Sequence, residues 1–278
     1  MDINFDSIQI GSDSEYDYFK IANDCYVDLS KDLAPPEILL SIGQHWHKGQ
    51  QYDTSIMTAG EFSAIVGTSK TKKSFLKSAF IGCYIGGDAN IHFPNIKAHR
   101  DKDYTILDFD TEQGKYYTHR SFNRTVEITG VNYKNYRGYC TRHLSSSERL
   151  GLIDYCLKNQ KELYETPVKF MSIDGIADLV ENTNDIVMSK EASDYILKWT
   201  HDYNMHITTI IHKSGSTNKP LGHLGTYVLK KAETVIDLEL DKDGTIKVTN
   251  PYSRGYKFEE FSFDVNKDSL PNLIENTF

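Results

Sequence analysis

The stretch Phe62-Ser63-Ala64-Ile65-Val66-Gly67-Thr68-Ser69-Lys70-Thr71-Lys72-Lys73-Ser74-Phe75 constrains this chain more than any other. A β-branched run ends in Gly67, a small polar loop follows, and Lys73-Ser74 opens an apolar-periodic segment. Strand, loop and helix in that order build a cradle for phosphate, because backbone N–H groups of the loop and helix start converge on an anion. The spacing fits G-x-x-x-x-G-K-[ST] at Gly67, Lys73 and Ser74, with Lys72 where the second glycine would stand. The plainer alternative is a lysine-rich helix start with Lys70, Lys72, Lys73 and Lys77 simply solvated. Cations at the positive end of a helix dipole repel it unless an anion is present, which favours the phosphate.

The rest of the chain sets the frame. Its 278 residues suffice for one large α/β domain with an N-terminal extension, and we expect an extension over 1–57 packing on a core over 58–278. Strands are predicted at 62–66, 104–110, 168–175 and 206–212, alternating with helices at 73–84, after 110, at 145–163 and around 192–199. Ser145 resembles the cap of a capping box with Glu148. A helical stretch is expected around Ile38, Leu39 and Ile42, after Pro35-Pro36. From about 232 the chain alternates as short β, turning at Asp243-Gly244. The expected fold is therefore α/β: a mainly parallel sheet flanked by helices, with an antiparallel β extension at the C-terminus.

Composition excludes several classes. No run of about 18 apolar residues exists, so no membrane partner is expected. Cys25, Cys83, Cys140 and Cys156 form no C-x-x-C pair, which suits free thiols in a reducing cytoplasm. A net charge of −8 argues against coating nucleic acid with the whole surface, while leaving room for a local basic groove.

Further candidates close predicted strands. Asp174 ends an apolar strand, where it would hold Mg2+ or simply form a turn before Gly175. Glu112, after the second strand, is placed to polarise water or to favour a helix N-terminus. His212 ends the fourth strand, where it would sense phosphate or play a structural part. The Gly-rich segment 213–226 reads as a surface loop or a contact for single-stranded DNA. Arg254 lies in a turn between β elements, as a finger toward a neighbour's nucleotide or a solvated side chain.

Taken together, these motifs resemble the RecA-type P-loop ATPases, and within them the RepA-like and DnaB-like replicative helicases and related phage or mobile-element ATPases. The echoes are Lys70-Thr71-Lys72-Lys73-Ser74-Phe75, Leu107-Asp108-Phe109-Asp110-Thr111-Glu112-Gln113, Met171-Ser172-Ile173-Asp174-Gly175, Thr209-Ile210-Ile211-His212-Lys213 and Gly222-His223-Leu224-Gly225-Thr226. They span roughly residues 30–265. The resemblance implies that Gly67, Thr68, Ser69, Lys70, Thr71, Lys72, Lys73, Ser74 and Phe75 bind ATP, with Ser74 and Asp174 holding Mg2+. It further implies Glu112 as catalytic acid, Lys73 on the phosphates, His212 as sensor and Arg254 as trans-acting finger. Tyr252 stands where the family often has a lysine, two residues before the finger.

The same resemblance implies an ATP-dependent motor on single-stranded DNA. It would act as a homo-oligomer, a hexameric ring, with replication or loader proteins as partners, in the cytoplasm of a cell or of a bacterial host. A recombinase or recombination mediator keeps the same fold. A nucleotide-binding regulatory or assembly module with little hydrolysis is the reading that Lys72 and Tyr252 motivate, and a small-molecule kinase is more distant because no acceptor-binding lid is recognisable.

Overall fold

Six strands that run side by side in one direction organise the molecule, and the inner ones are apolar on both faces and must be covered twice. The computed structural model describes residues 16–214 and 222–274. The chain divides into two compact units, Met1–Pro35 and Pro36–Phe278. The first contains α1 (Tyr18–Cys25), capped by the Asp17 side chain, which accepts from the Lys20 amide at 3.0 Å.

In the second unit the elements follow as β1 (Ile38–His47), β2 (Gln50–Thr58), β3 (Phe62–Gly67), α2 (Lys73–Ile85), α3 (Ala89–His92), β4 (Ile96–Ala98) and β5 (Thr105–Asp110). Next come α4 (Lys115–Thr129), β6 (Tyr136–Cys140), α5 (Ser146–Lys158), α6 (Gln160–Leu163), β7 (Val168–Asp174) and α7 (Ile186–Tyr203). The chain continues through β8 (His206–His212), α8 (Gly222–Lys231), β9 (Thr234–Leu240), β10 (Ile246–Ser253), β11 (Phe261–Val265) and β12 (Pro271–Ile274). A nine-stranded sheet has the order β12-β11-β10-β9-β3-β8-β7-β5-β6. From β9 to β6 neighbouring strands are parallel, and from β9 to β12 they are antiparallel. The expected α/β class, the parallel sheet between helices and the antiparallel C-terminal extension are all present.

Alternation along β3 explains the two-sided burial. Phe62, Ala64 and Val66 pack with Ile153, Leu157, Ile196, Trp199 and Val228, on the side of α5, α7 and α8. Ile65 points the other way, into a cluster with Leu76, Phe80, Cys83 and Ile128 from α2 and α4. Each large apolar side chain so buried contributes about 1.5–3 kcal/mol. At Ser145 the capping box forms in full, with reciprocal bonds to Glu148. Among the described residues no helix is long and apolar enough to cross a membrane.

Two expectations are corrected. Residues 38–42 are not helical: they open β1, which pairs with β2 and β4 in a separate three-stranded sheet. Leu39, Leu40, Ser41 and Ile42 are all buried, so a strand covered on both faces mimicked helical spacing. The segment 213–226 is not loop throughout, since Gly222 opens α8; 215–221 lie outside the described residues.

Candidate functional site

At the C-terminal edge of the parallel strands, the tips of β3, β5, β7 and β8 meet. Register fixes this directly: Gly67 pairs with His212, and Asp110 with Asp174. Ligands of open parallel sheets bind at this edge.

The turn between β3 and α2 is shaped by close contacts. A Cβ on Gly67 would stand 2.5 Å from Thr71 Oγ1 and 2.9 Å from the Leu238 carbonyl oxygen, so only glycine fits. Thr71 is buried and donates to the Thr68 carbonyl at 2.9 Å, while Ser69 is exposed at the tip. Lys70 and Lys72 have φ of 69° and 60°, the left-handed region that glycine enters without strain. Lys72 therefore holds a backbone shape that a glycine at this position would adopt more easily. No side chain caps α2, so its first amides are open to an anion.

Lys73 is 5 % exposed and curls back to donate to the carbonyls of Gly67 (3.0 Å) and Thr68 (2.8 Å). Burial pulls its ammonium down to about 8, against the opposing pull of Asp174 and Glu112. Glu112 is aimed by the turn before it: Asp110 accepts from the Glu112 amide at 3.1 Å and the Gln113 amide at 2.8 Å. Thr111 ties this turn to β7, donating from Oγ1 to the Asp174 carbonyl (2.9 Å) and Asp178 Oδ2 (2.6 Å). Glu112 Oε1 then meets His212 Nε2 at 3.1 Å.

Lys70, Lys72, Lys73, Ser74, Phe75, Glu112, Asp174 and His212 line one cleft of about 280 Å3, together with Gln113, Ser121, Arg124 and Ile210. Among the described residues, three buried polar atoms on this lining lack a hydrogen-bond partner, Ser121 Oγ, Arg124 Nη1 and His212 Nδ1, while Asp174 Oδ2 accepts no hydrogen bond and meets only the Lys77 ammonium at 3.3 Å. Buried polar groups are otherwise almost always paired, so such a concentration marks where a polar ligand belongs. A larger cleft of about 710 Å3 between α4 and β6 contains none of these orphaned atoms.

Below the cleft lies an ionic cluster that sequence reasoning missed. Lys77, 1 % exposed, reaches Asp108 Oδ1 at 2.9 Å and Asp174 Oδ2 at 3.3 Å. Tyr136 donates to the other Asp108 oxygen at 2.7 Å. Burial opposes the ammonium charge, yet Asp108 and Asp174 hold it, its pKa pushed up to about 12. Lys73 and Lys77 are thus far from solvated, whereas Lys70 and Lys72 are exposed. Arg124 and Ser121 were missed too; the faint signal was the run of polar residues on α4 facing the C-terminal edge of the sheet.

Arg254 does not join the cleft. It pairs with Glu61 at 2.5 Å and donates to the Lys231 carbonyl at 2.9 Å, and Glu61 immediately precedes β3. That is the opposite end of the strand from Gly67. No protein-family model matches the chain, and no curated protein matches it.

Proposed function

We propose that this cleft binds a nucleoside triphosphate with Mg2+ and hydrolyses it, on a core of the RecA-like P-loop type. The observation that carries the reading is the gathering of orphaned buried polar atoms around an uncapped helix N-terminus, beside a lysine that donates only to its own loop. Amides of the turn 68–74 would hold the phosphates. Lys73 would exchange two carbonyls for phosphate oxygens, a stronger charge-assisted contact.

The donor set also fits a hard cation. Among the described residues no three His, Cys, Asp or Glu side chains cluster to hold a metal. An Mg2+ here would take Ser74 and Asp174, and draw its remaining ligands from phosphate oxygens and water. When bound it would neutralise charge developing on the phosphate oxygens.

Glu112, held against His212, is the general base. Water forms a bond to the γ-phosphorus, its proton passes to Glu112, and the bond to the bridging oxygen breaks, leaving the electron pair on the diphosphate. His212 leads into Lys213, whose amide donates to the Gly67 carbonyl at 3.0 Å and whose ammonium pairs with Asp237. The phosphate turn and the tip of β8 are therefore physically linked. By resemblance the work done is translocation along single-stranded DNA by a ring of copies. Any contribution from Arg254 would reach a neighbour's cleft.

The test is steady-state ATP hydrolysis with and without single-stranded DNA, beside strand displacement, for the wild type, Lys73→Ala and Glu112→Gln. DNA-stimulated turnover abolished by either substitution supports the reading. Absence of turnover in every condition, or variants equal to the wild type, overturns it.

A further inference from the structure

We propose that Arg124 is a catalytic arginine supplied in cis: its guanidinium, shelved on Phe75, meets the transferring phosphoryl group, so the chemical step needs no arginine from a neighbouring copy. This role rests on the cleft being a nucleotide site, and it belongs to a residue and a mode of catalysis that the sequence motifs did not indicate.

Arg124 projects from α4 into the cleft beside Lys73, Glu112 and Asp174. Its guanidinium carbon lies 3.6 Å from the centre of the Phe75 ring, and Phe75 follows Ser74 in the first turn of α2. The shelf therefore stands at the phosphate end of the site. Stacking occupies the face of the guanidinium and leaves its N–H edge free to fork onto phosphate oxygens.

That edge has no acceptor among the described residues. Arg124 Nη1 is buried without a hydrogen bond, and Glu127 and Asp174 act on the guanidinium through longer-range attraction. Arg149, also half-buried, shows the usual solution, donating to the carbonyls of Thr141, Arg142 and Asp178. Burial first, then Arg120, pulls the Arg124 pKa down to about 10, so its charge is poorly accommodated until an anion arrives. The cleft as a whole is cationic: Lys70, Lys72, Lys73 and Arg124 face Glu112 and Asp174. A polyanion balances that surplus.

As the new P–O bond forms and the bond to the bridging oxygen breaks, negative charge shifts on the phosphoryl oxygens. Arg124 donates hydrogen bonds to it and neither gains nor loses a proton. Phe75, which the motif suggested as a nucleotide ligand, becomes the support that aims the arginine.

The experiment measures single-turnover hydrolysis and Mg-ADP affinity for the wild type, Arg124→Ala, Arg124→Lys, Phe75→Leu and Arg254→Ala, over a hundredfold range of protein concentration. Arginines in this role supply about 10^3–10^5 in rate. Arg124→Ala should lose at least about 100-fold in rate, with Mg-ADP affinity within about threefold. Arg124→Lys should remain at least about tenfold slow, because a point charge cannot fork. Phe75→Leu should fall between, and the wild-type rate per site should not change with concentration. Arg124→Lys retains the charge and stem, so it reports on the site even if the alanine variant misfolds. An arginine-insensitive rate, a concentration-dependent rate lost instead in Arg254→Ala, or a wild type that binds without turnover overturns the proposal. A wild type that binds no Mg-nucleotide overturns both readings, which separates the two failures.

Discussion

Replacing Lys77 by Met removes an ammonium that lies beneath the cleft while keeping the volume of the stem. Lys77 Nζ stands 2.9 Å from Asp108 and 3.3 Å from Asp174, and all three side chains are shielded from water. Breaking a buried pair by removing one partner costs about 3–5 kcal/mol, because the remaining charge is left uncompensated. Here two carboxylates lose their cation, and Tyr136 still serves only Asp108. At about 2–4 °C per kcal/mol for domains somewhat smaller than this one, the melting temperature should fall by about 6–20 °C. Urea denaturation of the variant, of Asp108→Asn and of the double variant gives the coupling directly. The pH dependence has a definite sign. Burial already holds the Asp108 carboxyl above its ordinary value despite Lys77, and losing Lys77 raises it further, so the added penalty is full at neutral pH and fades as pH falls and the carboxyl protonates. A loss below about 1 kcal/mol, or a penalty that does not shrink in acid, would refute the ion-cluster account.

The same geometry fixes other outcomes. Lys72→Gly should be neutral or stabilising by up to about 1 kcal/mol in urea denaturation, since a left-handed non-glycine residue costs about 1–2 kcal/mol. Lys72→Val should destabilise instead, and equal effects would contradict the backbone reading. Because burial pulls the free Lys73 ammonium down to about 8, Mg-nucleotide affinity should weaken about tenfold per pH unit above that value. Calorimetry in two buffers of different ionisation enthalpy should detect the proton taken up. His206, buried between Ser63 and the Thr58 carbonyl, has its pKa pushed down to about 4, with burial as the cause. The unfolded chain takes up that proton first, so this site should cost about 3 kcal/mol of stability as pH falls from 6.5 to 4. His206→Gln should remove that part of the slope.

The parallel strands were legible because short, largely apolar runs ended abruptly in Gly67, Asp110, Asp174 and His212. Those same tips are the site, so one signal supplied both. β1 was misread because Ile38, Leu39 and Ile42 match helical spacing, and the partners that decide for a strand, β2 and β4, lie elsewhere in the chain. Lys77 and Asp108 were invisible for another reason. A charge reads as solvated in one dimension, and burial becomes tolerable only when α2, β5 and β7 bring compensating groups together. α4 hid Arg124 because its buried residues include Thr118, Ser121 and Thr125, which leave little hydrophobic periodicity to find. The first turn of α8 was masked by the glycines at 222 and 225.

Isothermal titration of the protein with a slowly hydrolysed ATP analogue and Mg2+ tests the central claim most directly. The wild type should give saturable binding at one site per chain, and Lys73→Ala, folded by circular dichroism, should give none. Heat that is absent from the wild type, or identical in Lys73→Ala, would mean that the turn after Gly67 is not a phosphate site.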